Sequence, residues 1–232
     1  MGAAFRRPGE GRLKPVPTSV DAGFFGAWLT GARASLRGEG HGLEVPCGEC
    51  VGCCTSSLFV HIAPDETETL AVIPARLLVR APGRPRGHRL LGFAEDGSCP
   101  MLKQRACSIY ARRPRTCRDY DCRMLAAAGL DAGDGKDVIT ERVRAWAFSY
   151  ESDAERRAHD AIRAAAAFIR DRRESFPGGA GPSVPADIAS LALKVYTVFM
   201  EAAPRSDAET AAAIVEASRG FEGGSEDPQP RN

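Results

Sequence analysis

The chain has 232 residues, of which 44% are hydrophobic and 26% charged, and its formal net charge is +1. This composition is ordinary for a globular protein, and the even charge balance argues against nucleic acid or anionic membrane as a partner. No apolar run follows the charged N-terminus, so we expect no secretory signal. The longest apolar stretch, around 191–203, contains Lys194 and Glu201 and is too short to span a bilayer. We therefore expect a cytoplasmic protein without membrane contact.

The pattern predicts an α-rich fold with minor β structure, in which a loop-rich cysteine-cluster domain is followed by C-terminal helices. Residues 1–40 form an N-terminal extension, whose first twenty residues are rich in Gly, Pro and Arg and are predicted to be disordered. One amphipathic helix is predicted within this extension, from Asp21 to Leu36. The apolar residues that recur at helical spacing along it are Phe24, Phe25, Trp28, Leu29 and Leu36.

Residues 41–150 are assigned to the cysteine-cluster domain, which is expected to contain only short elements. Two short apolar runs, 58–62 and 88–93, are predicted strands. Pro64-Asp65-Glu66 suits the start of a helix that ends before the breaker-rich run 81–87. The remaining predictions are a turn at Asp96-Gly97, a short helix begun by Pro114 and carrying Cys117, a loop over 129–137 and a strand over Val138–Tyr150.

The C-terminal helical region, residues 151–220, has the clearest local signals. Helices are predicted at 152–175, 185–203 and 206–219, packed as a small bundle, with a disordered tail at 221–232. The pairs Ser152–Glu155 and Ser206–Glu209 both fit the capping box, in which each side chain satisfies an orphan amide at the start of a helix.

All eight cysteines fall in two groups along the chain. In a reducing compartment, clustered thiols indicate metal or redox chemistry rather than disulfides. A C-x2-C pair lets two thiolates approach one metal from a tight turn, for which Gly48 and Gly52 supply backbone freedom. Tetrahedral sulfur coordination suits both zinc and iron–sulfur clusters. The eight thiols could therefore form two zinc sites, one iron–sulfur cluster with spare thiols, or two clusters, and a 4Fe–4S cluster is one possible form. The groups are Cys47, Cys50, Cys53 and Cys54, and then Cys99, Cys107, Cys117 and Cys122.

The adjacent pair Cys53-Cys54 constrains how the metal is shared. Neighbouring side chains in extended backbone point to opposite sides, so one mononuclear metal could take both only through a strained turn. We expect different roles: the two bind different metals, or one ligates while the other is a free or supporting thiol. Cys117 and Cys122 are five residues apart, about 140° around an ideal helix. For both to ligate one metal, the helix must end between them.

Histidine and arginine side chains near the cysteines are further candidates. His61 and His88 lie on short strand-like runs and could be ligands, although core or surface roles are favoured. Arginines around the second cysteine group could offset the negative charge of a four-thiolate zinc site. A solvated basic face is the alternative, and nucleic-acid contact is disfavoured because the rest of the chain is not basic. The cations are Lys103, Arg105, Arg112, Arg113, Arg115, Arg118 and Arg123.

The cysteine pattern resembles a known family. Residues 47–54 match the signature of the YkgJ-type CxxCxxCC family of zinc- or iron-chelating proteins. Residues 98–102 resemble its C-P-x-L step, residues 107–117 resemble its C-x-I-Y-x-x-R-P-x-x-C segment, and Cys122 fits the final cysteine. The resemblance covers about residues 45–123 and implies that all eight cysteines chelate zinc or iron. Among the family-like residues between the ligands, we expect Tyr110 to pack over the site, Arg113 to donate to it or join a buried ion pair, and Pro114 to start a helix.

The resemblance also suggests an enzyme alternative. Some relatives resemble flagellin lysine N-methylases, so the alternative function is that of a protein lysine N-methyltransferase. Metal storage and binding of a protein partner are further alternatives. The glycine-rich candidate for a cofactor loop, 129–135, follows a helix-like run rather than a strand, contrary to what a nucleotide-binding turn needs. We expect a surface loop there and identify no catalytic residue.

Overall fold

The computed structural model describes residues 19–39, 45–179, 181–200 and 205–222. Helix accounts for 54% and strand for 11% of these residues, which confirms the α-rich fold with minor β structure. The disorder predicted for 1–20 and 221–232 falls almost entirely outside them. Across the described ranges, no helix is both long enough and apolar enough to cross a membrane.

The first described elements are strand β1 (Val20–Phe24) and helix α1 (Phe25–Leu36). The helix predicted from Asp21 therefore begins four residues late. The reason is a long-range pairing, because β1 lies parallel to strand β7 (Trp146–Ser149), more than a hundred residues away. Local spacing carries no information about such a partner.

A small antiparallel sheet follows, with strand order β2-β4-β3. The two predicted short strands are confirmed in part of their runs. The predicted helix is shorter than expected, because Ile73 is extended (φ −92°, ψ 124°) just before Pro74, where the proline ring disfavours helical backbone. The elements are β2 (Val60–Ile62), α2 (Thr67–Val72), β3 (Leu78–Arg80) and β4 (Arg89–Leu91).

The strand predicted over Val138–Tyr150 is wrong for most of its length. Its first part is a helix that buries Ile139 and Val143, one turn apart, and only the four residues of β7 are extended. The partial alternation in this segment was too short to distinguish a period of two from 3.6. The elements between β4 and β7 are β5 (Leu102–Lys103), β6 (Ala106–Cys107), α3 (Arg115–Asp119), α4 (Arg123–Ala128) and α5 (Asp137–Ala145).

Three C-terminal helices are confirmed: α6 (Asp153–Asp171), α7 (Pro185–Val195) and α8 (Asp207–Glu222). The Ser206–Glu209 capping box forms in both directions, whereas at Ser152 the Glu155 carboxylate accepts from Glu151 N instead of Ser152 N. Glu155 N donates to Ser152 Oγ at 3.3 Å, and Ser206 N donates to Glu209 Oε2 at 2.7 Å. Turns of 3₁₀ helix follow α6 and α7, over Arg173–Ser175 and Tyr196–Phe199.

Two hydrophobic cores organise the described residues. The main core joins β1, α1 and α4–α8, and its many alanines allow the helices to approach closely. The small core lies under the three-stranded sheet and has only four buried members, Ile62, Ile73, Leu91 and Met101. The cysteines bridge the two cores, since Cys122 belongs to the main core and Cys99 packs against the small one.

A buried ion pair fixes the start of α4. Asp121 and Arg123 side chains are 0% and 8% exposed, with Oδ2 and Nη2 2.8 Å apart. Trp28 Nε1 of α1 donates to Asp121 Oδ2 at 2.9 Å, and Arg123 Nη1 donates to the Ala22 carbonyl at 3.2 Å. The backbone on either side of Cys122 is thereby attached to β1 and α1.

Asp121→Asn should strongly destabilise the fold, because it leaves the Arg123 charge buried without its partner. The expected loss in the free energy of unfolding is about 3–5 kcal/mol, measured by urea denaturation at constant metal concentration. The matched control is Asp131→Asn, which breaks the exposed Asp131–Arg144 pair and should change stability little. Equal effects of the two substitutions would contradict the structural role of the buried pair.

Candidate metal centre

The first cysteines are arranged by two glycines. Cys50 N donates to the Cys47 carbonyl at 3.0 Å, closing a turn in which Gly48 has a φ of +55°. Gly52 is buried, and a Cβ there would lie 3.3 Å from Ile139 Cγ1 and 3.4 Å from the Ile139 nitrogen of α5. A Cβ at residue 52 would be a tight contact, so glycine lets the cysteine turn pack against α5 without displacing Ile139.

Cys53 and Cys54 lie in a 3₁₀ turn, Gly52–Thr55, rather than in extended backbone. Adjacent side chains in a 3₁₀ helix point about 120° apart, so the two thiols diverge, although by less than in a strand. Burial raises the pKa of both thiols. After burial, the largest contributions to the pKa of Cys53 come from Cys122 and Cys47, and those to the pKa of Cys54 come from Cys99 and Cys107. Cys50 and Cys47 also raise the pKa of Cys54, so the two sets of neighbours overlap, but the thiols with the largest effects differ between Cys53 and Cys54.

We call the thiols on the main-core side group 1. The pKa of Cys122 is raised to about 11, chiefly by burial and then by Asp121, Cys47 and Cys50, while a hydrogen bond from Trp146 lowers it. Trp146 Nε1 donates to Cys122 Sγ at 3.1 Å, and Arg142 Nη2 donates to the Cys47 carbonyl at 2.7 Å. The Arg142 charge also lowers the pKa of Cys47, which burial and Cys50 raise. The members of group 1 are Cys47, Cys50, Cys53 and Cys122.

We call the thiols on the small-core side group 2. Cys99 N donates to the Cys54 carbonyl at 2.7 Å, and Leu102 N donates to the Cys99 carbonyl at 2.9 Å. Leu102 pairs with Cys107 across the β5–β6 hairpin. The pKa of Cys117 is raised to about 12, chiefly by burial and then by Cys99, Cys54 and Cys107 in that order. The members of group 2 are Cys54, Cys99, Cys107 and Cys117.

The hairpin of group 2 turns through two residues in the left-handed region, Gln104 (φ 49°) and Arg105 (φ 60°). Positive φ at both central positions matches the sense of twist of the flanking strands. This tight turn brings Cys107 back beside the Cys99 segment. Neither residue is a glycine, so the sequence carried no signal for the turn.

Groups 1 and 2 are defined by which thiols most affect one another's pKa, and they differ from the order of the cysteines along the chain. Group 1 combines Cys122 with three cysteines of the first sequence group, and group 2 combines Cys54 with three cysteines of the second. The helix does end between Cys117 and Cys122, since α3 stops at Asp119 and α4 starts at Arg123. The break sends these two thiols to different groups.

The candidate ligands His61 and His88 contact each other on the small sheet. His61 Nε2 and His88 Nδ1 are 2.8 Å apart, and their rings stack at 5.0 Å between centroids on the small sheet. Thr116 Oγ1 of α3 donates to the His61 carbonyl at 2.7 Å, so the strand positions the helix that carries Cys117 through its backbone.

The family-like residues between the ligands form a local unit beside group 2. The guanidinium of Arg113 lies 4.1 Å from the ring centroid of Tyr110, which is 60% exposed. Arg113 Nη1 also donates to the Tyr110 carbonyl at 3.1 Å, and its charge lowers the pKa of Cys117. Pro114 is buried and immediately precedes α3, so the helix begins one residue later than predicted.

The donor set suits a thiophilic metal. All eight cysteines are free of disulfides, and solvent reaches Cys53 and Cys117 even though neighbouring protein atoms crowd both thiols. Within the described ranges, no three Cys, His, Asp or Glu side chains already stand in position to ligate one ion. Each group would therefore close around a metal by movement of its thiol side chains.

Comparison with known families gives one match. Residues 46–137 match the model of the CxxCxxCC family, described as a "Putative zinc- or iron-chelating domain". The matched segment agrees with the resemblance inferred from the cysteine pattern. The CxxCxxCC domain contains all eight cysteines, and its description supports metal binding. No curated protein and no solved structure matches the chain.

Two residues at group 1 lie beyond the matched segment and were not predicted. Arg142 and Trp146 follow residue 137, in the stretch whose structure the sequence pattern misassigned. The loop at 129–137 begins with Gly129 in the left-handed conformation at the end of α4, as expected for a surface loop after a helix. Nothing supports the methyltransferase alternative.

Metal uptake should depend steeply on pH. Three thiols in each group have raised pKa values and are therefore protonated at neutral pH. They are Cys47, Cys53 and Cys122 in group 1, and Cys54, Cys99 and Cys117 in group 2. A metal binds thiolate, so each ion must displace at least about three protons, and affinity should rise from pH 6 to pH 8. Calorimetry of zinc binding in buffers of different protonation enthalpy measures the number of protons released. Zinc binding without proton release would contradict this picture of the apo thiols.

Proposed function

We propose that the CxxCxxCC domain holds two metal ions, each bound by four cysteine thiolates. Group 1 forms one site and group 2 forms the other. The observation that carries this proposal is that the adjacent thiols Cys53 and Cys54, in one 3₁₀ turn, have pKa values raised most, after burial, by different cysteines. Four thiolates complete a tetrahedral shell without an open position, which is typical of structural zinc. Iron–sulfur clusters take the same ligands, so the metal is zinc or iron, with zinc preferred for a closed site.

The proposed role of the metals is to join the two cores. The small core has four buried hydrophobic residues, too few to stabilise a lobe of this size on its own. Group 2 cross-links three parts of that lobe: the end of the cysteine turn, the β5–β6 hairpin and α3. Metal binding there would therefore contribute directly to folding, while the larger main core depends less on it.

Nearby donors and cations support thiolate at both sites. A zinc ion with four thiolates carries a net charge of about −2. Arg142 and Arg123 lower the pKa of Cys47 in group 1, and Arg113 lowers that of Cys117 in group 2. The indole N–H of Trp146 and the backbone N–H of Gly52 point at sulfur, the second at 3.5 Å from Cys50 Sγ. Free thiols at these positions suit a reducing compartment, which we infer to be the cytoplasm.

Elemental analysis of protein purified without oxygen tests this function. The wild-type chain should carry two equivalents of zinc or iron. Cys53→Ser and Cys54→Ser should each lower the content by about one equivalent, because each removes one ligand from a different site. Thr55→Ala is the matched control, since Thr55 is exposed in the same 3₁₀ turn, and it should keep both equivalents.

The spectrum of the same sample identifies the metal. A colourless protein with zinc supports closed structural sites, whereas visible absorption with iron and acid-labile sulfide would assign clusters to the same ligands. Less than one equivalent of any transition metal in fresh protein would overturn the proposal.

A further inference from the structure

The three-stranded sheet has two edges, and they differ. Its strand order is β2-β4-β3, so β2 and β3 are each paired on one side only. The outer side of β2 is occupied by α3, whose Thr116 Oγ1 donates to the His61 carbonyl at 2.7 Å. Within the described ranges, β3 is paired on its β4 side alone. We call its other side the β3 edge.

The hydrogen-bond pattern shows which main-chain groups face the β3 edge. Ala81 N donates to the His88 carbonyl at 3.2 Å, and these two residues continue the register of the Arg80–Arg89 pair. Hydrogen-bonded and non-hydrogen-bonded pairs alternate in an antiparallel ladder, so Arg80 and Leu78 both belong to non-hydrogen-bonded pairs. Their main-chain N–H and C=O groups therefore point away from β4.

Three of these main-chain groups have no hydrogen-bond partner in the part of the chain that the structure describes. Leu78 N donates back to the Ala75 carbonyl, which leaves the Leu78 carbonyl and both main-chain groups of Arg80. An acceptor, a donor and an acceptor thus follow one another along the β3 edge. An extended peptide supplies the complementary alternation when it adds to a sheet as a further strand, whereas phosphate groups have no donor for the two carbonyls.

The charge around the β3 edge is positive and has no counter-charge nearby in the sequence. Residues 69–94 contain five arginines but no aspartate or glutamate. All five are exposed, and within the described ranges none of them makes an ion pair. Arg80 and Arg89 form a non-hydrogen-bonded pair, in which side chains are closest and like charges destabilise a sheet. The five are Arg76, Arg80, Arg84, Arg86 and Arg89.

The two faces of the sheet differ at the β3 edge. Arg80 and Arg89 lie on the same face as Ile62. Val79 and Leu90 lie on the opposite face, where Val79 is 55% exposed. A strand added beside β3 would place one set of alternate side chains next to Arg80 and the other set next to Val79. The sequence that fits this edge therefore alternates acidic and apolar residues.

We propose that the β3 edge binds an extended acidic segment of another protein by strand addition. The main chain of the segment would pair with Leu78 and Arg80, and its carboxylates would supply the counter-charge that the Arg80–Arg89 pair lacks. A second copy of this chain does not fit, because pairing of β3 with itself would bring further arginines to the same edge. None of these residues is a proposed metal ligand, so the interaction does not depend on which metal the cysteines bind.

Fluorescence anisotropy with the full-length, metal-loaded protein tests the proposal. The probe is a labelled heptapeptide in which glutamate and valine alternate. Only every second N–H of an added strand faces its neighbour. N-methylation of one alternate set of amides should therefore weaken binding by at least about fivefold through lost main-chain hydrogen bonds, while methylation of the other set should leave binding unchanged. A peptide of the same composition with its glutamates grouped at one end should bind more weakly.

Substitution of the protein tests the charge complementarity. Arg80→Gln should weaken binding of the alternating peptide by about two- to fivefold, the effect expected of one exposed ion pair. The matched control is Arg157→Gln, which removes the same charge from an exposed site on α6 and should bind like the wild type. Circular dichroism and metal content check folding, and the Arg80→Gln protein should be at least as stable as the wild type because a like-charge pair has been removed.

The comparison of the two methylated peptides needs only the wild-type protein, so it decides the matter even if Arg80→Gln does not fold. Absence of binding to the alternating peptide at low salt would overturn the proposal and leave the arginines as protection of the edge against aggregation. Equal binding of the two methylated peptides, or an equal loss in Arg157→Gln, would also overturn it. Tighter binding of a single-stranded oligonucleotide than of the peptide would assign the arginines to a polyanion instead.

Discussion

The divergence of two adjacent thiols is the constraint on which the centre depends. Cys53 and Cys54 lie in one 3₁₀ turn, so their side chains leave the backbone about a third of a turn apart. After burial, Cys122 of the main core raises the pKa of Cys53 most, and Cys99 beside the small core raises that of Cys54 most. Because the two residues share a peptide bond, any metal held by Cys53 and any metal held by Cys54 would be coupled mechanically through the shortest link the chain allows.

The main core supplies the rigid side of this arrangement. Cys122 is buried, its sulfur accepts a hydrogen bond from Trp146, and its flanking residues form the Asp121–Arg123 pair that attaches to Trp28 and Ala22. The small-core side is more dependent on its thiols, because its elements are short and its apolar core is small. The proposed metals would therefore have unequal structural roles: one mainly anchors the cysteine turn, and the other holds a lobe together.

Local chemistry explains what the sequence could predict. The helix caps at Ser152 and Ser206, the short strands around Ile62 and Leu91, and the metal-binding family all depend on neighbouring residues or fixed spacings. The errors have a common cause in long-range contacts. Strand β1 exists because it pairs with β7, and the non-glycine turn at Gln104-Arg105 is imposed by the surrounding structure. Most importantly, the spatial groups of cysteines cut across their order in the chain, and spacing alone cannot show that.

The central claim is that the two sets of four thiols are interleaved along the sequence, and the metal content of two double variants tests it most directly. If the sites are groups 1 and 2, Cys54→Ser/Cys99→Ser damages one site and should retain about one equivalent of metal, while Cys53→Ser/Cys54→Ser damages both and should retain almost none. If the sites instead follow chain order, 47–54 and 99–122, the two results are exchanged. One equivalent in Cys53→Ser/Cys54→Ser with none in Cys54→Ser/Cys99→Ser would contradict this account.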